Sequence, residues 1–186
     1  KLLDCCPFSD GASATILCSE DFAKKSGRPY VEIIGSGRGA SPAAVQGRED
    51  ITTIPSTVAA ARAAYKMAGL TPKDIDFAEV HDCFTIAEII DIEDLGFFPK
   101  GKAAHAVRDG ATRLNGEIPI NPSGGLKSKG HPIGATGVGQ VVEVFDQFTG
   151  RAGERTVKDA EIALTHNFGA TGASAAVHLF RKVDRK

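Results

Sequence analysis

Three short stretches of this chain carry side chains able to move protons. The first runs from Asn121 to Gln140, a glycine-dense segment built around one imidazole, His131, set between Gly130 and Pro132. Glycine at that density implies turns and close backbone approaches that other residues would block. An imidazole held in such a loop, just ahead of a helix, has the setting of a positioned acid/base or an oxyanion donor. A phosphate-cradling loop or a plain connector would use the same glycines.

The second stretch is His81-Asp82-Cys83-Phe84, which follows the apolar run Ile75–Val80. Cys83 is expected in the first turn of the next helix, where the helix dipole and its free N–H groups stabilise a thiolate. A His–Cys metal pair finds no further ligands at zinc-like spacing, and a packed core cysteine needs no helix end. The third stretch is His166-Asn167-Phe168-Gly169, which opens a glycine-punctuated turn read over His166–Gly172 after the strand Ala160–Thr165. Cys5, Cys6 and Cys18 read as incidental, since Pro7 and the lack of a following helix argue against activation. His105 reads as a surface residue, and His178 as a structural one on a strand.

These groups need elements to hold them. A short helix starts at the Ser19 cap, with Glu20 and Asp21 in its first turn, and stops at Gly27. Tyr30–Ser36 reads as a strand and Gly35–Gly39 as a polar loop whose glycine spacing is not the dinucleotide fingerprint. Pro55–Ala68 is an alanine-rich helix stopped by Gly69, and Thr71-Pro72 opens one more turn. The run Phe84, Ala87, Ile90 predicts a helix closed by Gly96. Residues 97–120 form an excursion of covering or lid type, with a short helix ending at Asp109-Gly110 and a turn at Asn115-Gly116. Val138, Val141, Val142, Phe145 and Phe148 predict the apolar face of a helix that Gly150 ends. Ala173–Phe180 closes the domain as an antiparallel strand, followed by a charged tail over Arg181–Lys186. Near the start, Asp10-Gly11 is a turn and Ala12–Cys18 reads as a short buried strand.

The alternation of strands and helices with a final hairpin predicts an α/β layered domain with a mixed sheet. Right-handed crossovers would bring the loops of His81, His131 and His166 to one sheet edge. Three histidines and a cysteine converging there would say more than any one motif.

Composition bounds the partners. The 186 residues suit one domain, with 42% hydrophobic and 24% charged residues and a net charge of −1. That charge gives no electrostatic case for nucleic acid or for an anionic membrane surface. No apolar run approaches the roughly 20 residues of a spanning helix. The opening does not read as a secretory leader, and four Cys without scaffold spacing predict reduced thiols and a cytoplasmic setting.

Asn121–Leu126 (Asn-Pro-Ser-Gly-Gly-Leu), Gly130–Gly137 (Gly-His-Pro-Ile-Gly-Ala-Thr-Gly), His81–Phe84 and His166–Gly169 together resemble the C-terminal half of a thiolase, of the sterol-carrier-protein type. Ordinary thiolases carry Asn-Glu-x-Phe where His81–Phe84 stands and Cys-x-Gly where His166 stands. The resemblance implies a thiolase-like layered fold, with residues 1–28 the end of the N-terminal half and 29–186 the C-terminal domain. It implies acyl transfer on coenzyme A thioesters, as thiolysis of 3-ketoacyl-CoA or Claisen condensation of acetyl-CoA, with no cofactor and no metal. Matched by motif, His131 would activate the nucleophile and polarise a thioester oxygen. Cys83 would be the second acid/base, and His81 would serve the other oxyanion site, directly or through water. His166 would support the reacting centre or its loop. Phe84, Gly169, Ser123 and Gly124 would line the substrate and CoA passage.

The family's nucleophilic Cys lies in the N-terminal half, and none of Cys5, Cys6 and Cys18 matches its context. The chain is therefore expected to be a fragment or a split subunit, inactive alone. The resemblance further implies a homodimer or tetramer, and a zinc-ribbon/OB-fold partner protein in some members. A retro-aldolase subunit acting on 3-hydroxyacyl-CoA, which tends to lose the Cys at the Cys83 position, is one alternative. A condensing enzyme and a non-catalytic docking module are the others.

Overall fold

The computed structural model describes residues 1–183, so the end of the tail expected over Arg181–Lys186 lies outside the described residues. Helix α1 (Glu20–Ser26) begins where Ser19 Oγ accepts the Phe22 N–H at 3.3 Å. It stops at Gly27, whose φ of 63° suits a residue without Cβ. The strand expected over Ala12–Cys18 does not form. That stretch is mostly exposed and has no regular structure, because no strand among the described residues offers it a hydrogen-bonding edge.

Strand β1 (Val31–Ala40) is longer than expected and absorbs the supposed loop at Gly35–Gly39. The reason lies in what packs on it. Helix α2 (Pro55–Ala68) lies so close that a Cβ added at Gly37 would collide with the Ala60 carbonyl, and one at Gly39 with that of Ser56. The glycines are there for close helix–strand approach, not for a turn. Helix α2 ends at Gly69 as read, and a 3₁₀ turn follows at Pro72–Asp74 with Thr71 and Asp74 capping each other.

Strand β2 (Phe77–Glu79) leads to α3 (Thr85–Asp94) and then α4 (Ala103–Arg108). The excursion over 97–120 is no lid. It buries Phe98, Ala103, Ile118 and Ile120 in the main core. Helices α5 (Gly125–Lys129) and α6 (Thr136–Phe148) follow, then the hairpin of β3 (Ile162–Gly169) and β4 (Ser174–Lys182). Of the turn expected over His166–Gly172, His166–Gly169 is strand and the chain reverses at Ala170–Gly172.

The sheet order is β1-β4-β3-β2, antiparallel except for the parallel β3/β2 pair. Its two faces are read directly from alternation. Ala78, Leu164 and Leu179 share a core with α2 and α3, while Phe77, Ala163 and Phe180 share another with Val144 and Phe148 of α6. Helix α6 does not bury the expected valine stripe. Val138, Val141, Val142 and Phe145 are only half-buried, whereas Gln140, Glu143 and Gln147 are buried. Two of them are satisfied by the next loop, Gln147 bonding the Arg155 carbonyl and the Val157 N–H and Glu143 pairing with Arg155 at 2.9 Å, and Gln140 is satisfied by β3. No helix among the described residues is long and apolar enough to cross a membrane.

Candidate active site

The glycine-dense loop is sewn to the end of β2. Ala78 exchanges backbone hydrogen bonds with Pro119 and Asn121, at 3.0 and 2.7 Å. Asn121, at φ 53°, accepts the Val80 N–H on its side-chain oxygen at 2.8 Å and donates its amide to Glu88 at 3.1 Å. The buried carboxylate of Glu79 accepts both the Ser123 N–H and its hydroxyl, at 2.9 and 2.6 Å. Asp82 then caps α5, accepting the N–H groups of Leu126 and Lys127 at 2.7 and 3.1 Å. A Cβ at Gly125 would strike that carboxylate, and its φ is +63°. The acid of the His81–Phe84 motif therefore holds the start of the loop that carries His131.

Two of the three histidines meet as a result. The rings of His81 and His131 lie edge to face, 4.9 Å between centroids at 82°. His81 Nδ1 sits 3.0 Å from Asn167 Oδ1, and its ring tilts against Phe168 at 4.8 Å. His131 Nδ1 sits 2.7 Å from Thr136 Oγ1, whose hydroxyl also reaches the Pro132 carbonyl at 3.2 Å. With that hydroxyl proton given to the carbonyl, Nδ1–H donates to Thr136 and Nε2 keeps a lone pair. Such a nitrogen can accept a proton from a thiol. Burial pushes both imidazoles below their ordinary 6.5, so they are bases that stay neutral at pH 7.

Cys83 is placed differently from expectation. Helix α3 is capped by Phe84, so Cys83 lies outside its first turn and the helix does not lower its pKa. Burial, with Asp91, Cys6 and Asp82 nearby, instead pushes the thiol up to about 12. Its carbonyl accepts the Cys6 N–H at 3.0 Å, which lays the opening segment over the motif. His131 is held from the same side, by its N–H to the Pro7 carbonyl at 2.9 Å and by the Phe8 ring.

His166 stands behind this pair rather than beside it. Its parity on β3 turns it towards α2 and α3, where it is wholly buried. Its Nε2 is 2.9 Å from Thr57 Oγ1, and its Nδ1 is 3.6 Å from Asp91, a fully buried carboxyl with no hydrogen-bond partner on either oxygen. Burial drives His166 down to about 3 and Asp91 well above the ordinary carboxyl value. The other expected positions vary. Phe84 is half exposed and Gly169 is exposed at the end of β3, both open to a ligand. Ser123 is committed to Glu79, and Gly124 is an exposed N-cap at φ 92°. Cys5 and Cys18 are exposed, His105 is exposed and His178 half-buried.

Sequence reading missed Thr57, Asp91, Thr136, Gln140 and Asn167. Asn167 and Thr136 lie inside quoted motifs, so their positions were visible and their roles were not. Among the described residues no group of three or more His, Cys, Asp and Glu is placed to hold a metal ion.

Known proteins match this arrangement along nearly all of the chain. An acetyl-CoA acetyltransferase of Methanothermobacter thermautotrophicus is 54% identical over 182 residues, which span 98% of this chain and 48% of that protein. Human sterol carrier protein 2 is 45% identical over 177 residues, spanning 92% of this chain and 32% of its own length. A solved structure, the Ltp2-ChsH2(DUF35) aldolase, superposes with a TM-score of 0.84 at 26% identity, covering all of this chain and 48% of that one. The chain thus spans about half or less of the length of the relatives it matches. The family described as thiolase C-terminal domain-like matches residues 37–182, and the chain belongs to that family.

Proposed function

We propose that this chain supplies the acid/base half of a thiolase-type acyltransferase acting on coenzyme A thioesters. In this reading residues 29–186 are the C-terminal domain and 1–28 its joint to the rest. The nucleophilic thiol comes from polypeptide outside these 186 residues. Cys5 and Cys18 are exposed, Cys18 lying outside α1 just ahead of its Ser19 cap, and Cys6 is pushed up by burial and by Asp82, the reverse of activation. The observation that carries the reading is the pair of neutral imidazoles 4.9 Å apart, with Cys83 two residues from one of them.

His131 Nε2 accepts the proton of the incoming thiol, making the nucleophile, and the imidazolium then faces the thioester oxygen. His81 serves the second oxygen. Cys83, held as a neutral thiol, gives its proton to the enolate carbon released in thiolysis; in condensation it first gives that proton to the CoA thiolate expelled on acylation, and the Cys83 thiolate so formed takes one from the methyl of acetyl-CoA. Phe84 and Gly169 border the substrate passage. The relatives named acetyl-CoA acetyltransferase support this class of reaction. The aldolase neighbour supports a second reading, retro-aldol cleavage of 3-hydroxyacyl-CoA, in which a protonating thiol at Cys83 has no required part.

The test is thiolysis of acetoacetyl-CoA by the polypeptide that includes the nucleophile-bearing half. Cys83→Ala should retain stoichiometric acylation and lose turnover about 10²–10⁴-fold, the usual weight of an acid/base group. His131→Asn should lose acylation itself. Unchanged turnover in Cys83→Ala, with cleavage of a 3-hydroxyacyl-CoA, would transfer the assignment to the aldolase. Two further expectations belong here: assembly as a dimer or tetramer, and association with a zinc-ribbon/OB-fold protein. Sedimentation and co-purification would check them.

A further inference from the structure

The proton on His81 can be located from its neighbours alone. The chain of amides begins at the His166 backbone carbonyl, which can only accept. Gln140 therefore turns its Nε2 towards it, at 3.2 Å. That leaves Gln140 Oε1 facing Asn167, which donates its Nδ2 in a short hydrogen bond. Asn167 then has only its Oδ1 left to face His81 Nδ1, at 3.0 Å. A carbonyl oxygen cannot donate, so the hydrogen in this last contact belongs to Nδ1. Turning Gln140 over would set its Oε1 against the His166 carbonyl, and turning Asn167 alone would set its Oδ1 against Gln140 Oε1. Gln140 is fully buried, so water cannot relieve that conflict. A neutral imidazole has one N–H, and here it is spent on Asn167.

We propose that Gln140 and Asn167 are positioning residues that lock His81 as its Nδ1–H tautomer, leaving Nε2 as a hydrogen-bond acceptor. The lock stands on geometry alone; its consequence rests on the proposed acyl chemistry. There, His81 does not donate directly to an oxyanion while neutral. It holds a water by one hydrogen, and that water turns its other hydrogen to the oxygen. Only His131, once it has taken the thiol proton, is a direct imidazole donor. The burden is divided between two adjacent rings that repel each other if both are charged.

The experiment is ¹⁵N-histidine labelling of the complete polypeptide with long-range ¹H–¹⁵N correlation, the His81 signals being identified by their loss in His81→Asn. The wild type should show a pyridine-type Nε2 and a pyrrole-type Nδ1, in roughly tenfold or greater excess over the other tautomer. Gln140→Leu frees Asn167 to turn over and should give a mixed signal. Asn167→Asp keeps an acceptor that cannot turn over, so it should retain the Nδ1–H form while raising the His81 pKa by about a unit or more. It also keeps the test open should Gln140→Leu fail to fold. An Nε2–H wild type, or loss of the Nδ1–H form in Asn167→Asp, overturns the lock. So does an unaltered tautomer ratio in folded Gln140→Leu. Absence of thiolysis activity with the Nδ1–H form intact would instead remove the proposed function and leave the lock standing.

Discussion

Asp91 and His166 bury a carboxyl and an imidazole together, and that arrangement makes a two-sided prediction about stability and pH. His166 has no solvent contact and falls from 6.5 to about 3, so charging it in place would cost roughly 4–5 kcal/mol. Asp91 has no hydrogen-bond partner on either oxygen and is raised well above 3.8. The folded pair therefore holds one proton, on the carboxyl. The count would be the same were that proton on the imidazole.

Unfolded, the pair also holds one proton between the ordinary values of 3.8 and 6.5, now on the histidine. Stability is then independent of pH across that window, as far as this pair decides it. Above 6.5 the unfolded pair has none and the folded pair still has one. Stability falls by about 1.4 kcal/mol per pH unit for as long as Asp91 keeps its proton. Below 3.8 the unfolded pair gains a second proton that the folded pair refuses down to about 3, and stability falls again.

Asp91→Asn removes one titration and keeps the shape. In the variant the folded site binds no proton, so stability is level above 6.5 and falls below it. The wild-type-minus-variant difference should thus slope by about 1.4 kcal/mol per pH unit wherever Asp91 keeps its proton in the fold. Paired urea titrations at pH 5, 6.5 and 8 measure it, and subtraction cancels the other buried carboxyls, Glu79, Glu88 and Asp94, which are also raised. A difference that stays flat across those three values would refute the single-proton pair.

Cys83, at about 12, should carry roughly a thousandth of the thiolate of an ordinary thiol at pH 7. Peptide-resolved iodoacetamide labelling should therefore modify the exposed Cys5 and Cys18 first; an inflection for Cys83 near pH 7 would count against a thiol held protonated. Gly37→Ala drives a methyl into the α2 backbone and should cost about 3 kcal/mol or more by urea unfolding, with Gly47→Ala, which meets nothing within 4 Å, as the benign control. Thr136→Val takes the partner from His131 Nδ1 and should slow thiolysis about 10–100-fold, through kcat more than KM.

The helices were legible because their ends are written in residue types: Ser19 and Gly27 around α1, Pro55 and Gly69 around α2. Two of the errors share one cause. Glycine marks a turn and a close approach with the same letter. Gly35–Gly39 and Gly169 read as loop, yet the first group lies within β1 beneath α2 and the second closes β3. Which meaning holds depends on what packs against the backbone, and a single sequence does not contain the neighbour. A shift of two residues at the start of α3 had the larger chemical effect, because it moved Cys83 out of the helix field and reversed the direction of its pKa.

The site divides along the same line. His131 was visible because it sits beside glycine just ahead of a helix, and His81 and Cys83 because they share one short motif directly after an apolar strand. Asp91, Gln140 and Thr57 were not, since a polar residue on a helix reads as solvated until the opposing strand is known. Yet it is these hidden groups that set the chemistry of the visible ones: Asp91 stands near both Cys83 and His166, and Gln140 decides through Asn167 which nitrogen of His81 bears hydrogen. The motifs supply the reactive atoms, and part of what sets their protonation, Asp91 on α3 and Gln140 on α6, lies outside all four of them. A chain with all four motifs but an apolar residue at Gln140 would keep the fold and the rings in contact. It would lose the means of choosing between two tautomers, and with it a defined role for His81.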